Sequence, residues 1–275
     1  MTQLVLSDPD DVRAALDDPR LVPHGTTDRS TGSTIRLRQA MARFSQPDDH
    51  PARRAAVVAG IEHFRLETVA AIATSRTVQR LTGRRVDAVG AIARVVPTEV
   101  LTICLGAPDG LEQLLADVEA IVRVIGRGAP ADAGADAAAD RLLARFAQHP
   151  AGDIPAVSML YQNFDATTAL VTANLLAMAT GQRPVAAVPR TRRVATSTTQ
   201  IGRHTIAAGT DIALEIGTAG LPFGSGLHEC PGRLVAEHIV SGITSAVATS
   251  AYLVDLQSVE LDADGRPIAL QLVLR

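Results

Sequence analysis

Aromatic residues are scarce. The 275-residue chain has no Trp, two Tyr and five Phe. A β-sandwich needs bulky side chains on half-buried sheet faces, so that class is disfavoured, and the abundance of Ala, Leu and Arg favours helices. Cysteine is nearly absent too. Cys104 and Cys230 are the only two, which makes neither a disulfide framework nor a four-cysteine zinc site. No charge of one sign dominates. A net charge of −3 carries no polycationic signal for nucleic acid or an acidic membrane surface. No apolar run is long enough to span a bilayer. The start, MTQLVLSDPDDVRAAL, lacks a basic segment followed by an apolar one, so no signal peptide is expected and a soluble cytoplasmic protein is. What is present is ample: 47% apolar residues, enough to bury a substantial core.

The pattern along the chain is mostly helical, with a small late β region. SDPDDVRAAL opens as a capped helix, with Ser7 or Asp8 as the cap, Pro9 in the first turn and acids at the positive end. Residues 22–34 read as a polar loop. Helical periodicity covers 35–44, breaks over 45–51, and runs on through 52–81 and 86–96. PTEVLTICLGAP (97–108) starts on a proline and stops at a glycine, as a short buried helix should. Two amphipathic helices follow over 110–128 and 135–149. Residues 154–181 form the longest apolar helical stretch, with few charges on any face, which predicts a central, buried helix. Residues 191–217 alternate, with Gly202 and Gly209 as punctuation, and read as two or three short strands. A helix over 234–250 and strands around the DADGRP turn complete the chain. With no internal repeat and no linker, residues 1–275 read as one domain.

Residues 223–232, FGSGLHECPG, carry the chemistry. Pro231 suits a first helical position, which would put Cys230 at the cap, facing unpaired N–H groups and the positive dipole end. That setting stabilises a thiolate, a nucleophile or soft metal ligand. Gly224, Gly226 and Gly232 let the backbone approach a bulky flat object. Phe223 offers a ring to cover the sulfur, and His228 can hydrogen-bond an anionic group at the rim. A large planar metal complex with carboxylate arms fits this set, and that complex is haem.

The stretch resembles the cysteine-ligand loop of the cytochrome P-450 family, F-G-x-G-x-H-x-C-x-G, at every fixed position: Phe223, Gly224, Gly226, His228, Cys230 and Gly232. The resemblance implies a mainly α fold with small β regions, in reduced form. It also implies haem b as cofactor, bound without the covalent C-x-x-C-H attachment, with Cys230 as the iron ligand. DHPARRAAV resembles the helix whose His and Arg reach the haem propionates. By that match the pair is His50 and Arg54, four apart on one helix face. TRRVATSTTQIGRHTIAAGT is similar to the strand and hairpin before the cysteine loop, where an arginine meets a propionate. Arg193 matches best and Arg192 is the alternative. Cys104 reads as core packing, and His204 as exposed and without a role.

The long apolar helix resembles the family's distal helix. QNFDATT aligns with A-G-x-(D/E)-T-T, so Asp165 takes the acid position and the first threonine is replaced by Ala166. Thr167 or Thr168 would have to supply the missing hydroxyl. Acid and alcohol at these positions normally deliver protons, so Asp165 and Thr167 are the catalytic candidates and Ala166 lines the cofactor.

The chain is unusually short for this family, like a bacterial actinomycete member without the N-terminal sheet segment and without the E-x-x-R helix region. Only GQRPVAAVPR stands between the distal helix and TRRVAT. The shortened scaffold implies a pocket supported differently and leaves apolar surface that favours a homodimer. The leading reading is oxidation of a small organic substrate, of secondary-metabolic type, by oxygen or peroxide. With oxygen, a ferredoxin-type redox partner would dock near Arg233 and the helix of Arg53. The alternatives are Lewis-acid dehydration, isomerisation or bond formation at the iron, a non-catalytic haem-binding accessory protein, and a decayed scaffold without haem.

Overall fold

The computed structural model describes residues 3–23 and 31–275. Part of the expected polar loop, residues 24–30, lies outside the described residues. The architecture is mainly helical with small sheets, as the pattern predicts. Helix α1, Pro9–Asp17, is capped by Asp8 rather than Ser7. The Asp8 carboxylate accepts from the N–H groups of Asp10 at 3.0 Å and Asp11 at 3.2 Å. Helix α2 spans Ser33–Ala40, and a short 3-10 segment covers Ala42–Phe44.

The stretch expected as one helix over 52–81 is two, α3 at His50–Glu62 and α4 at Leu66–Arg80. The Phe64 N–H turns back to the Ile61 carbonyl at 2.9 Å and Arg65 is extended, which directs Phe64 and Leu66 against the core. Residues 86–96 also differ from a plain helix. Strand β3 (Arg85–Asp87) leads into a π-helical turn over Ala88–Ala93, because the Asp87 side chain accepts from Val89 and Gly90 N–H while Val86 pairs with Leu272. A π-turn commonly marks a functional region. Helices α5 (Val95–Cys104), α6 (Leu111–Ile125) and α7 (Ala133–Arg145) follow.

Helix α8, Asp153–Thr180, is 28 residues and so about 42 Å long. Leu160, Phe164, Val171 and Leu175 put it in the main core with Ile239, Ile243 and Val247 of α9, Arg233–Thr249. Burying an apolar side chain contributes about 1.5–3 kcal/mol, so this helix is the rigid reference against which the rest is placed. Among the described residues no helix is long and apolar enough to cross a membrane.

The β region holds more strands than expected. Strand β1 (Leu4–Leu6) runs parallel to β7 (Asp211–Leu214), β7 antiparallel to β4 (Thr191–Ala195), and β4 antiparallel to β2 (Leu21–Pro23). Strand β2 falls where a polar loop was expected. Leu21 pairs with Ala195 and seals a second core with Leu6, Val12, Leu16 and Ile212. Strands β5 (Thr199–Ile201) and β6 (His204–Ile206) form a hairpin, and β8 (Tyr252–Leu261) and β9 (Pro267–Leu274) join β3 in a third sheet.

Candidate functional site

The cysteine loop enters from β7 and exits into α9. The Cys230 N–H donates to the Phe223 carbonyl at 2.9 Å, closing the loop on itself. Gly224 and Gly226 have φ of +73° and +64°. At Gly226 a side chain is excluded twice over, because a Cβ there would lie 1.8 Å from Asp17 Oδ1. That glycine serves the close approach of α1, not the access expected of it. Gly232 is different: a Cβ added there meets nothing within 4 Å, so its face is open.

The expected cap is displaced. Helix α9 begins at Arg233 with Gly232 as N-cap, so Cys230 and Pro231 lie before it. Cys230 is exposed on its open side, yet the protein packed behind it makes burial the largest influence on the thiol and pushes it up from the ordinary value. The Gly232 N–H and the charges of Arg43 and Arg54 act in the other direction, and Glu229 acts with burial. Burial therefore favours the protonated thiol, contrary to a helix-stabilised thiolate.

Around the sulfur the fold gathers bases. His50 opens α3 and is buried, and its ring centroid lies 4.2 Å from that of His228. Arg54 donates to the Glu229 carbonyl at 2.6 Å, tying α3 to the cysteine loop. Alternation along β4 decides between the two candidate arginines. Arg192 points outward to Asp211 at 3.0 Å, whereas Arg193 is 5% exposed and faces the histidines. Among the described residues Arg193 bonds only Thr191 Oγ1 at 3.1 Å and the Arg192 carbonyl at 3.0 Å, and its Nε has no partner.

The electrostatics follow. Burial, then the charge of Arg43, push the Arg193 guanidinium down to about 10. Burial, then Arg193, His50, Arg54 and Arg43, push His228 down to about 4, and burial with Arg54 and Arg193 lowers His50. Among the described residues no carboxylate pairs with Arg43, Arg54 or Arg193. A buried cation left unpaired is costly. The site is thus built for anions it does not itself contain.

On α8 the expected residues separate. Asp165 is half exposed and held by Arg127 at 2.7 and 3.2 Å, two parallel bonds that fix its carboxylate. Thr167 is buried and Ala166 half-buried. Thr168 is committed within the helix and to the π-turn, donating to the carbonyls of Phe164 at 2.5 Å and Ala93 at 3.2 Å. The Asn163 amide nitrogen is buried without a partner. Cys104 packs against the main core and burial raises its thiol. His204 is half-buried with Nε2 3.8 Å from Asp11 Oδ2.

Two residues of this region escape sequence reasoning. Arg127 lies just past α6, and only the docking of α6 on α8 brings it to Asp165. Arg43 lies on the 3-10 segment, with Phe44 set 6.2 Å from the Tyr161 ring of α8. Both lie in stretches that read as helical, but neither belongs to a motif, so nothing local announces their partners.

No model of a known family matches the sequence, and no curated protein matches it. Solved structures do. The structure of P450BioI in complex with acyl carrier protein bearing hexadec-9Z-enoic acid superposes with a TM-score of 0.79 at 15% identity, over 98% of this chain and 92% of that one. CalO2 gives 0.80 at 14% identity, over 98% and 90%. A thermophilic cytochrome P-450 from Sulfolobus tokodaii gives 0.74 at 14% identity, over 100% and 95%. The chain has the cytochrome P-450 fold.

Proposed function

We propose that this chain is a single haem-thiolate unit over 1–275. Its Cys230 ligates the iron of haem b, and it oxidises a small organic substrate. The observation that carries the reading is the convergence of His50, His228, Arg54 and Arg193 around one sulfur, with no carboxylate of the described residues paired to either arginine. The residues fit the group. Two propionates would pair with the buried Arg193, whose Nε lacks a partner, and with His50, His228 and Arg54. Phe223, Gly224, Gly226 and Gly232 form the loop that presents the sulfur, and Gly232 leaves its face open. When bound, haem supplies oxygen or peroxide activation at its iron, with the thiolate donating electron density.

The chain's own part is positioning and protons. Burial holds the Cys230 proton, so cofactor binding must release it. We read Asp165, held by Arg127, as a relay for protons along α8, with Thr167 the hydroxyl nearest in sequence that is not tied to a neighbouring carbonyl. Ala166 lines the cofactor's distal side. If oxygen is the oxidant, a ferredoxin-type partner supplies electrons from the cysteine side. There Arg233 lies over Phe223 at 5.5 Å and the exposed Leu227 and Leu234 flank it.

One observation favours a second reading, non-oxidative Lewis-acid chemistry at the same iron. The first distal hydroxyl is absent at Ala166, and Asp165 is drawn to Arg127. The deciding experiment is the ferrous–carbon monoxide spectrum of haem-loaded protein, followed by turnover with a ferredoxin system and with peroxide. Cys230→Ser is expected to abolish a thiolate-shifted Soret band and Cys104→Ser to keep it. An unchanged band in the Cys230 variant would end the proposal, and inertness to both oxidants with the band intact would favour the second reading.

A further inference from the structure

The chain contains no lysine, so each of its fixed cations is an arginine, charged at any working pH and shaped to grip a carboxylate. Around Cys230, the donors His50, Arg54, Arg193 and His228 already answer the two carboxylates of the proposed haem. Arg43 is surplus to that set. It stands on the 3-10 segment Ala42–Phe44, whose Phe44 ring lies 6.2 Å from the ring of Tyr161 on α8. It therefore sits between the cysteine loop and the long helix. Its charge is felt at Arg193, His228 and Cys230 on one side and at Tyr161 on the other.

Three features separate Arg43 from a structural cation. It is exposed, so it is open to a ligand and costs the fold little. No carboxylate of the described residues pairs with it, and Asp165, one turn along α8 from Tyr161, is already held by Arg127. Its surroundings are two rings and one further guanidinium: Arg43 lies 5.9 Å from the Phe44 centroid, Arg38 lies over the same ring at 4.3 Å, and Tyr161 is buried beside Phe44. Tyr161 stays a neutral phenol, since burial pushes it up, and so it does not compete with an incoming anion. An accessible, unspent guanidinium beside two rings, at the edge of a site whose other charges are accounted for, recognises a molecule with an apolar body and an anionic end.

We propose that Arg43 is a specificity-determining residue that binds the carboxylate of an organic acid substrate, with Phe44 and Tyr161 against its apolar body. The proposal rests on the haem-thiolate reading and names the substrate class of that site. The test is a Soret titration of haem-loaded protein with decanoate and, in parallel, decanamide, which differ only in charge at one end. Decanoate is expected to bind about tenfold more tightly than the amide, a preference that weakens with added salt. Arg43→Ala should erase the preference with haem content unchanged and no fall in melting temperature, and Arg43→Lys should restore part of it. Equal binding of acid and amide by the parent protein would overturn the proposal. So would a preference that survives in Arg43→Ala, or haem loss in that variant, which would assign Arg43 to the cofactor's own carboxylates. A carbon monoxide band without the thiolate shift would sink the haem-thiolate reading alone, because the acid-to-amide ratio remains measurable by calorimetry on the same haem-loaded protein.

Discussion

Arg193→Met should move folding stability and cofactor retention in opposite directions. The Arg193 guanidinium is buried, bonds one hydroxyl and one carbonyl, and leaves Nε unpartnered. Burial and the charge of Arg43 push it down from its ordinary value to about 10. A depression of that size corresponds to roughly 3 kcal/mol held against the folded, haem-free state. The unfolded chain binds this proton more tightly than the folded one. Stability would therefore rise with pH only above about 10, and the full cost stands at pH 7. Met has similar reach and no charge. After allowance for the two lost hydrogen bonds, the haem-free variant should gain about 1–3 kcal/mol, a rise of roughly 2–10 °C in melting temperature. With haem bound the sign reverses. Losing charge-assisted bonds to a propionate costs about 1.5–3 kcal/mol, so haem should transfer to apomyoglobin about 10–100-fold faster. Calorimetric melting of haem-free protein and the transfer rate together check it. A variant that melts lower without haem, or that holds haem as long as the parent, would refute the reasoning.

Gly226→Ala combines a positive φ with a Cβ 1.8 Å from Asp17 Oδ1, so it should cost about 2 kcal/mol or more in thermal melts. Gly232→Ala meets open space and should leave the haem-free melt within about 0.5 kcal/mol while lowering haem content. Equal effects of the two on haem-free stability would contradict the loop geometry. Asp165→Asn breaks a half-exposed ion pair and should change stability by less than about 1 kcal/mol, yet slow oxygen-driven turnover about tenfold or more. Unchanged turnover would remove Asp165 from the proton path. Asp18 is held near 2 by hydrogen bonds from Arg20 and, after burial's opposing effect, from Thr199. Its stabilisation is present above pH 3.8 and is lost as pH falls through 2, so Asp18→Ala should cost about 2 kcal/mol at pH 7 and flatten the acid limb of the stability profile.

The helices are legible in the sequence because each buries an apolar stripe of its own, and α8 is plain because it is long and carries few charges on any face. The cysteine loop was legible because its glycines, histidine and cysteine act within ten consecutive residues. What could not be read depends on partners distant in sequence. The break between α3 and α4 follows from the demand that Phe64 turn to the core, and the π-turn follows from Asp87 and the pairing of β3 with β9. Strand β2 exists only because β4 offers it an edge. The displaced start of α9 has the same origin. Pro231 favours an early helix, but the Cys230 N–H is spent on Phe223 and the Cys230 carbonyl first meets the Arg233 N–H, at 3.4 Å. The thiol's pKa direction was missed because a sequence shows the helix end that favours a thiolate and not the burial that opposes it.

The shortness of the chain between α8 and β4 raises the expectation of a pocket supported differently, and a set of contacts braces this part of the fold. Arg190 pairs with Glu215 at 3.2 Å and with Asp264 at 2.7 Å. Arg266 pairs with Asp262 at 2.7 Å and donates to the Ala187 carbonyl at 3.1 Å. The Gly217 N–H donates to the Pro189 carbonyl at 2.8 Å. These contacts tie the exit from α8, the end of β7 and the β8–β9 turn into one knot, immediately ahead of β4. A single exposed ion pair contributes little, but a shared network that also satisfies backbone carbonyls fixes geometry. Its consequence is felt three residues on, where Arg193 must face inward rather than Arg192. A slip of one residue in β4 would exchange the two and turn the buried cation out of the site. The DADGRP turn, which reads in the sequence as a plain connection, therefore acts on the site through strand register.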